Sequence, residues 1–540
     1  MNSFQALDWV VVGLYFSVIL GIALWVLRQK QESPTDYFLA GRHVGWFVIG
    51  ASIFASNIGS EHIVGLAGTA AKSGVVMGHY ELHSWLVLLL GWVFVPFYMR
   101  SKVFTMPEFL EKRYSPEARW FLSLVTLIGY VLTKVSVTVY AGAVVFQTLM
   151  GIDFWTGALI VVILTGIYTI VGGLKAVIYT ETLQTLVLIA GSVTVTVIGL
   201  IKIGGWNNLV SIAGFDRLNL FLPANHPDFP WTGMIFAPPI VGLWYWCTDQ
   251  YIVQRTLAAR NETQARRGTI FAAYLKLLPF FIFIIPGVIA YALSQTGHFQ
   301  LLEADQAFPT LVKTLLPTGL RGLVAGGLLA ALMSSLAAVF NSCSTLFTMD
   351  IYQKLKPEAS ERTLVTVGRI ATGVVVVSGI LWIPFMKYIS GELYHYIQSV
   401  QAYIAPPIAA VFLLGLFFKR INARGAMTAL VGGFLLGMSR LVLEIVKEDL
   451  SGVLYTFANI NFLHFCIFLF LVCIMVLVGV SLLTPAPTYE KIQGLTYATT
   501  VAADKARSRA SWNTRDVVLS VIVIVILALV LLYFSPLILS

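Results

Sequence analysis

The amino-acid sequence predicts an all-α protein that crosses a membrane many times, with two of its spanning helices broken. Of the 540 residues, 58% are hydrophobic and only 11% are charged, which excludes an ordinary soluble globular protein. Long apolar runs recur along the chain, each near the roughly 20 residues that a helix needs to cross a hydrocarbon core about 30 Å thick. Two of these runs carry polar, Gly or Pro residues at mid-membrane depth, where unwound backbone survives only inside protein or beside a cavity.

The apolar runs number about fourteen and give the predicted order of the spans. They cover residues 8–27, 45–71, 80–99, 119–149, 156–171, 176–201, 231–254, 268–294, 317–349, 364–387, 391–418, 425–446, 460–484 and 516–538. The predicted organisation is an extra N-terminal helix with its loop (1–44), a first repeat (45–202), an outer loop (203–230), a second repeat (231–418), two further helices (419–484), a polar linker tethering a separate final helix (485–515) and that helix (516–540).

The net charge of +9 arises from basic residues that concentrate in alternate loops. By the positive-inside rule these loops are cytoplasmic, which places both termini outside. The residues include Arg28, Lys30, Arg42, Arg100, Lys102, Lys112, Arg113, Arg255, Arg260, Arg266, Arg267, Lys354, Lys356, Arg362, Lys419, Arg420, Arg424, Lys505, Arg507, Arg509 and Arg515. The excess therefore indicates topology in a lipid bilayer, and no nucleic-acid partner is expected.

The first break is predicted at the run Phe54-Ala-Ser-Asn-Ile-Gly-Ser-Glu-His62, within an otherwise apolar segment from 46 to 71. Ser and Asn side chains compete for backbone hydrogen bonds and Gly weakens a helix, so the chain can unwind and turn carbonyl groups inward. Polar and ionisable groups at this depth are costly and indicate function. We therefore expect a transport site at this run.

The second break is predicted at Ala237-Pro-Pro-Ile-Val-Gly-Leu-Trp-Tyr-Trp-Cys-Thr-Asp-Gln250, five spans later. Pro238 and Pro239 remove amide donors, and Gly242 adds backbone freedom. An odd number of helices between corresponding breaks inverts the second copy, which is the pattern of an inverted-topology repeat. The alternative is that Pro and Gly, which are common in transmembrane helices, interrupt two spans by coincidence.

A candidate cation site combines the first break with a serine pair in the ninth span. Ala331, Ser334 and Ser335 are spaced i, i+3 and i+4, so one carbonyl and two hydroxyl oxygens share a helix face. Carbonyls freed at Ala55 and Ile58 would complete a set of neutral oxygens, which suits sodium better than a divalent ion. The alternative is that the serines bond to their own helix or permit close packing.

Polar side chains on several other spans together suit a polyhydroxylated neutral solute. Lys276 lies well inside the eighth span, Glu81 begins the third and Gln398 begins the eleventh. Mixed donors and acceptors beside aromatic rings match a sugar, whereas a carboxylic acid or amino acid wants a dedicated charge partner. The alternatives are a place at the membrane surface for Glu81 and an interfacial, snorkelling role for Lys276. The set is Asn57, His62, Glu81, Lys276 and Gln398, interleaved with Tyr80, Tyr245, Trp246 and Tyr394.

Signatures of enzymes and of ATP-driven pumps do not occur in the sequence. There is no G-x-S-x-G elbow, no Walker loop and no H-E-x-x-H, and the eight histidines show no metal-ligand spacing. We therefore expect a protein that is not an enzyme and is not driven by ATP.

Stretches from residue 36 to about 450 carry a family resemblance. They include Asp36-Tyr-Phe-Leu-Ala-Gly-Arg42, Phe54-Ala-Ser-Asn-Ile-Gly-Ser60, Leu243-Trp-Tyr-Trp-Cys-Thr-Asp-Gln250, Ser344-Thr-Leu-Phe-Thr-Met-Asp-Ile-Tyr352 and Pro406-Pro-Ile-Ala-Ala-Val-Phe-Leu-Leu-Gly415. On these residues the chain resembles the solute:sodium symporter family, and within it the sodium/glucose cotransporters. The resemblance implies the leucine-transporter fold, a 5+5 inverted repeat formed by spans two to eleven.

The resemblance also implies roles for individual residues. The family's sodium site falls on Ala55, Ile58, Ala331, Ser334 and Ser335. Its sugar contacts fall on Asn57, His62, Glu81, Tyr245, Trp246, Lys276 and Gln398. Its outer gate falls on Leu66, Tyr80 and Tyr394, and Tyr245 matches the aromatic residue that closes beneath the sugar.

Three positions depart from the family pattern. Members that couple two sodium ions carry an aspartate and a further serine where this chain has Glu181 and Ala338, so we predict one sodium per sugar. Gly242 stands where relatives carry a polar side chain, so one sugar contact is expected to be missing or replaced by water.

The predicted function is a sodium-coupled symporter of a neutral monosaccharide in the plasma membrane, working by alternating access. One alternative is a symporter of another polar solute, such as an inositol, sialic acid or proline. A second alternative, of a different class, is a sugar-gated sensor or channel that uses the same fold without accumulating its ligand.

Overall fold

The computed structural model describes residues 4–28, 33–59, 61–301, 303–386 and 393–538, and in these ranges the chain is built from helices. Nine of the described helices are long and apolar enough to cross a membrane. The count of about fourteen spans stays a prediction. The principal helices are Ala6–Leu27, Trp46–Asn57, Ala67–Ser73, Ser84–Leu89, Val95–Ser101, Pro116–Gly129, Ser136–Val145, Phe154–Ile203, Trp231–Cys247, Gln250–Leu257, Glu262–Leu275, Ile285–Gln295, Leu320–Thr345, Glu361–Met386, Leu393–Phe417, Ala423–Ile445, Phe462–Leu483 and Thr514–Tyr533.

The first predicted break is present, and we refer to its two parts as the first broken helix. The helix Trp46–Asn57 ends because Ile58 takes an extended conformation, with φ −77° and ψ 96°. The chain then resumes as a π-helix over Glu61–Leu66 and an α-helix over Ala67–Ser73. Single π turns inside helices are frequent at functional sites. The polar run therefore unwinds where the sequence predicts.

The second broken helix consists of Trp231–Cys247 and Gln250–Leu257, separated by Thr248 and Asp249. Pro238 and Pro239 lie inside the first of these two parts, so the expectation that they interrupt the helix is wrong. Neighbouring helices allow proline within a transmembrane helix because they re-satisfy the freed backbone groups. The break instead falls at Thr248 and Asp249, near the C-terminal end of the predicted segment.

The segment Phe154–Ile203 is one uninterrupted helix of 50 residues, where the sequence predicts separate spans over 156–171 and 176–201. The predicted loop between them is therefore wrong, because helical backbone continues through it. A straight helix of this length would extend about 75 Å, more than twice a hydrocarbon core of about 30 Å. Gly172 and Gly173 lie between the two predicted spans, where Gly would be expected to weaken a helix.

The helix Leu320–Thr345, called the serine helix below, lies at the centre of the protein. Every residue from Val324 to Thr345 is buried. It packs against Phe154–Ile203, Ala6–Leu27 and Trp46–Asn57. A helix that is buried all round belongs to the core of a large protein, so its polar side chains face other helices and not lipid. This position brings the serine pair against the first broken helix.

The C-terminal part of the chain, predicted as a polar linker tethering a separate final helix, is packed onto the core. The Tyr497 ring stacks on Phe417 with centroids 5.1 Å apart. The Arg267 side chain pairs with Asp516 at 2.9 Å, at the start of the final helix Thr514–Tyr533. The predicted linker carries aromatic and serine side chains as well as charge, and these hold it against neighbouring helices.

Candidate functional site

The two breaks lie against each other in the interior of the protein. The Tyr251 hydroxyl, just after the second break, donates to the carbonyl oxygen of Ser56, just before the first. The Asn57 amide donates to the Tyr245 hydroxyl at 3.3 Å. These contacts join the two broken helices at the point where each loses its regular backbone hydrogen bonding.

The first break frees two backbone carbonyls. In a continuous helix the Gly59 amide would bond to the Ala55 carbonyl, but it donates to Nδ1 of His62 at 3.4 Å. The His62 amide would likewise bond to Ile58, but it donates to the Gly59 carbonyl at 3.1 Å. The carbonyl oxygens of Ala55 and Ile58 are therefore released from their helical partners, which is the condition that the candidate cation site requires.

The two hydroxyls of the serine pair have different partners: one bonds to the first break, and the other bonds to an acidic side chain. Ser335 donates to the carbonyl oxygens of Ile58 and Ser56, at 3.2 Å in each case. Ser334 donates to the Glu181 carboxylate at 3.2 Å. Ala55 and Ala331, the other two predicted sodium ligands, are buried on the same pair of helices. The structure thus brings Ile58 and Ser335 into direct contact and places the rest of the set on the same two elements.

Glu181 is the centre of a buried polar cluster beside the serine pair. Its carboxylate forms an ion pair with Arg255 at 3.0 Å, and neither side chain is exposed to solvent. Ser52 and Ser56 on the first broken helix also donate to it. Arg255 belongs to the second part of the second broken helix. Glu181 therefore connects the serine helix with both broken helices, and its negative charge is neutralised by a guanidinium.

Lys276 is the centre of a second cluster, in which the predicted solute contacts meet. Its ammonium lies 2.6 Å from the Glu81 carboxylate and 2.9 Å from the Asn57 amide oxygen. The other Glu81 oxygen lies 3.1 Å from Nε2 of His62. The Lys276 ammonium also lies 5.1 Å from the centre of the Trp246 ring. The Glu81 and Lys276 side chains are both buried inside the protein, which disfavours surface decoration for Glu81 and a snorkelling role for Lys276.

All seven predicted solute contacts line one cavity, together with further residues. Its volume is about 50 Å³, room for a few waters, so the lining side chains stand close together. The Gln398 amide oxygen is buried there and has no hydrogen-bond partner among the described residues. The lining residues are Asn57, His62, Tyr80, Glu81, His83, Val241, Gly242, Tyr245, Trp246, Lys276, Ile397, Gln398 and Gln401.

Only some of the predicted gate residues line the cavity. Tyr80 and Tyr245 line the cavity itself, and Leu66 is fully buried on the first broken helix. The side chain of Tyr394 lies outside the described residues, as does Ser60 in the first break.

Sequence reasoning missed a third charged group near the breaks. Lys134 pairs with Asp249 at 2.7 Å, and Asp249 lies in the second break. The Lys134 ammonium also lies 4.9 Å from the ring centre of Tyr245 and 4.0 Å from that of Tyr251. Lys134 lies in the middle of an apolar run, so it carries the same sequence signal as Lys276, an ionisable group at membrane depth. His83, Gln401 and Ile397 were also missed; of these, only Gln401, a polar residue well inside the predicted span 391–418, carries a comparable signal.

A model of the sodium:solute symporter family matches residues 37–433 of this chain. The sodium/glucose cotransporter 1 of Ovis aries is 40% identical over 524 residues, covering 89% of this chain and 79% of that protein. The sodium/myo-inositol cotransporter 2 of Homo sapiens is 40% identical over 533 residues, covering 91% of this chain and 80% of that protein.

Two solved structures show the fold. The substrate-bound outward-open state of a Na+-coupled sialic acid symporter matches with a TM-score of 0.77 at 22% identity, covering 90% of this chain and 100% of that one. Mhp1, a nucleobase-cation-symport-1 family transporter in a closed conformation, matches with a TM-score of 0.54 at 15% identity, covering 87% and 99%. The predicted leucine-transporter-type architecture is confirmed. With the family model matching most of its length, the chain belongs to the sodium:solute symporter family.

Proposed function

We propose that this protein is a sodium-coupled symporter of a neutral monosaccharide, working by alternating access with one sodium per sugar. The observation that carries the proposal is the convergence of seven polar and aromatic side chains on one cavity at the junction of the two breaks. Relatives that are 40% identical over most of their length are named sodium/glucose cotransporters, which supports the same substrate class.

The proposed sodium ligands are the carbonyls of Ala55, Ile58 and Ala331 and the hydroxyls of Ser334 and Ser335. Ser334 donates its hydrogen to Glu181, which leaves the lone pairs of its oxygen for a cation. The carbonyls at the first break have lost their helical donors, so a hard cation of low charge can replace those bonds. This donor set consists of neutral oxygens and matches the chemistry that sodium prefers.

The proposed sugar contacts are Asn57, His62, Glu81, Tyr245, Trp246, Lys276 and Gln398. Lys276 and Glu81 neutralise each other, so the cavity offers donors and acceptors without a net charge to attract an ionic solute. Trp246 and Tyr245 supply aromatic faces beside these polar groups. Such a mixture suits a polyhydroxylated neutral solute better than a carboxylate, which would need a free cationic partner. We infer no catalytic role for these residues.

Coupling to a single sodium is supported by the state of Glu181. Its carboxylate is committed to Arg255 and to three serine hydroxyls, so it has no free charge to offer a second ion. Ala338, one turn beyond the serine pair, has no oxygen in its side chain. A second sodium would have to displace a buried ion pair, which costs several kcal/mol.

The proposed cycle begins with sodium binding between the first broken helix and the serine helix, which stabilises an outward-open state. Sugar then binds, the outer aromatic residues including Tyr80 and Tyr394 close with Leu66, and the repeats rock inward. Loss of sodium on the inside releases the first break and then Tyr245. A hexose is several times larger than a water molecule, so the cavity of about 50 Å³ must widen during this cycle.

The proposed location is the plasma membrane, with the basic loops in the cytoplasm and both termini outside. The clustering of Lys and Arg in alternate loops supports this orientation.

The direct test is uptake by the purified protein in vesicles with an inward sodium gradient. A panel of labelled solutes should include glucose, galactose, myo-inositol, sialic acid and proline. We expect a monosaccharide to accumulate above its outside level with the gradient and only to equilibrate without it. Equilibration that ignores sodium would instead favour a sugar-gated sensor or channel.

Myo-inositol is the second candidate substrate. A human sodium/myo-inositol cotransporter 2 is as similar to this chain as the sodium/glucose cotransporter 1 of Ovis aries, at 40% identity in both cases. Myo-inositol is also neutral and polyhydroxylated, so the charge argument applies to it equally. Competition between myo-inositol and glucose in the same uptake assay separates the two.

A further inference from the structure

His83 is a buried imidazole in the solute cavity to which neither the mechanism nor the sequence prediction assigns a role. It lies directly before the helix Ser84–Leu89, and its carbonyl accepts the amides of Leu86 and Val87 at 2.8 and 3.3 Å. These bonds fix the backbone of His83 at the start of that helix. Its side chain is 4% exposed and lines the same cavity as Glu81 and Lys276.

Gly242 provides the space that the His83 ring occupies. A Cβ atom at Gly242 would stand 2.7 Å from Nδ1 and 2.8 Å from Cε1 of His83, closer than real atoms approach. It would also stand 2.5 Å from Cδ1 of Leu86. The imidazole therefore fills the position into which a side chain at residue 242 would project.

Within the part of the chain that the structure describes, Nε2 of His83 is buried and has no hydrogen-bond partner. Buried polar atoms are nearly always bonded, so an unpartnered one in a cavity calls for a ligand or water that completes it. Its charged neighbours do not complete it: the Lys276 ammonium lies against Glu81 and Asn57, and Glu81 contacts Lys276 and His62. Gln398 presents a second unpartnered atom in the same cavity.

We propose that His83 is a substrate contact and a specificity-determining residue, with Nε2 bonded to a hydroxyl group of the transported solute. An imidazole nitrogen donates or accepts according to its tautomer, and a hydroxyl does both, so the pair matches in either arrangement. The contact that Gly242 cannot make is thereby supplied from the facing element. This inference deepens the proposed function and depends on it.

The test compares wild-type protein with the His83→Phe variant, which keeps an aromatic ring but loses both ring nitrogens. Uptake is measured for the transported sugar and for analogues that each lack one hydroxyl. We expect His83→Phe to raise KM about tenfold for the parent sugar, in line with one lost hydrogen bond to a buried polar group. For one deoxy analogue, the same substitution should leave KM unchanged. A uniform change across all analogues, or no change, would overturn the proposal.

A second pair of variants tests the match between His83 and Gly242. Gly242→Ser introduces a side chain into the space of the imidazole, so we expect it to reduce uptake strongly in the wild-type background. In a His83→Ala background the same serine should restore part of the uptake. If the two substitutions reduce uptake independently, so that the double variant is weaker than either single variant, the inference is contradicted. A wild-type protein that accumulates no sugar would instead refute the proposed function itself.

Discussion

The Ser335 hydroxyl bridges the first break and the serine helix through the carbonyl oxygens of Ile58 and Ser56. A cation that binds these oxygens must turn the hydroxyl hydrogen away, after which the Ser335 oxygen faces the ion as a ligand. At the proposed sodium site, ion binding would therefore compete with the direct contact between the two helices at this residue.

Ser335→Ala removes this oxygen with little change in volume. We expect the sodium concentration for half-maximal uptake to rise about tenfold or more, because a bond to a charged group contributes roughly 1.5–3 kcal/mol. Sodium titration of uptake at matched surface expression measures the effect. The control is Ser344→Ala, which removes a buried hydroxyl of the same helix that bonds to Gly368 and should leave the titration unchanged. An unaltered sodium dependence of Ser335→Ala would remove this residue from the site.

Gln398→Glu places a carboxyl group in the solute cavity at the same size. The amide oxygen of Gln398 has no hydrogen-bond partner in the described ranges, so the added negative charge would be buried without a partner there, which is costly. We expect weaker sugar uptake at neutral pH and an altered order of preference among sugars. The alternative outcome is uptake that is driven by protons instead of sodium. Uptake competition at two pH values measures both, and an identical profile would place Gln398 outside the pocket.

Single residues at this site differ in how well the sequence predicts them. Lys276 is recognisable from its depth in an apolar run, and the structure places it among the predicted contacts. Lys134 has the same signal, but Asp249, which neutralises it, lies 115 residues away. His83 has no such signal, because its proposed role depends on the space that Gly242 leaves. Pairings of this kind arise from the fold and not from any local pattern.

At the level of helices, the cluster around Glu181 holds four elements together, since Ser52 and Ser56 of the first broken helix also donate to it. It joins Phe154–Ile203 to the serine helix through Ser334 and to the second broken helix through Arg255. Breaking a buried ion pair by removing one partner leaves an uncompensated charge and typically costs about 3–5 kcal/mol. The cluster is therefore a sensitive point of the structure.

We expect Glu181→Gln to lower the thermal stability of the purified protein, because Arg255 remains buried without its counter-charge. The double variant Glu181→Gln, Arg255→Met removes both charges and should recover much of the loss. Thermal unfolding in detergent measures each variant. Equal losses in the single and double variants would show that the ion pair is not the stabilising feature.

The position of the second break shows why helices are predicted better than their ends. Pro238 and Pro239 suggest an interruption, yet the helix continues to Cys247. It ends where the amides of Thr248 and Asp249 both bond to the Trp244 carbonyl, at 3.0 and 2.9 Å. The polar residues at this point decide the break, and the prolines are accommodated by neighbouring helices. Apolar periodicity predicts which segments are helical, whereas such competing hydrogen bonds decide where they stop.

At the scale of the whole protein, the number of sodium ions determines how far a sugar can be concentrated. One charge moving through 100 mV contributes about 2.3 kcal/mol, and a tenfold sodium gradient contributes about 1.4 kcal/mol. Together these support a sugar ratio of roughly 500, and a second sodium would square it. The commitment of Glu181 to Arg255 thus bears on the transport capacity of the entire molecule.

The reversal potential of the sugar-induced current tests the central claim most directly, because it depends on the charge moved with each sugar. With one sodium per sugar, a tenfold change in the sugar gradient should shift the reversal potential by about 59 mV. The measurement is made on membranes containing this protein, with sodium gradients held constant. A shift of about 30 mV would mean two sodium ions per sugar, and the absence of a sugar-dependent current would contradict coupled transport altogether.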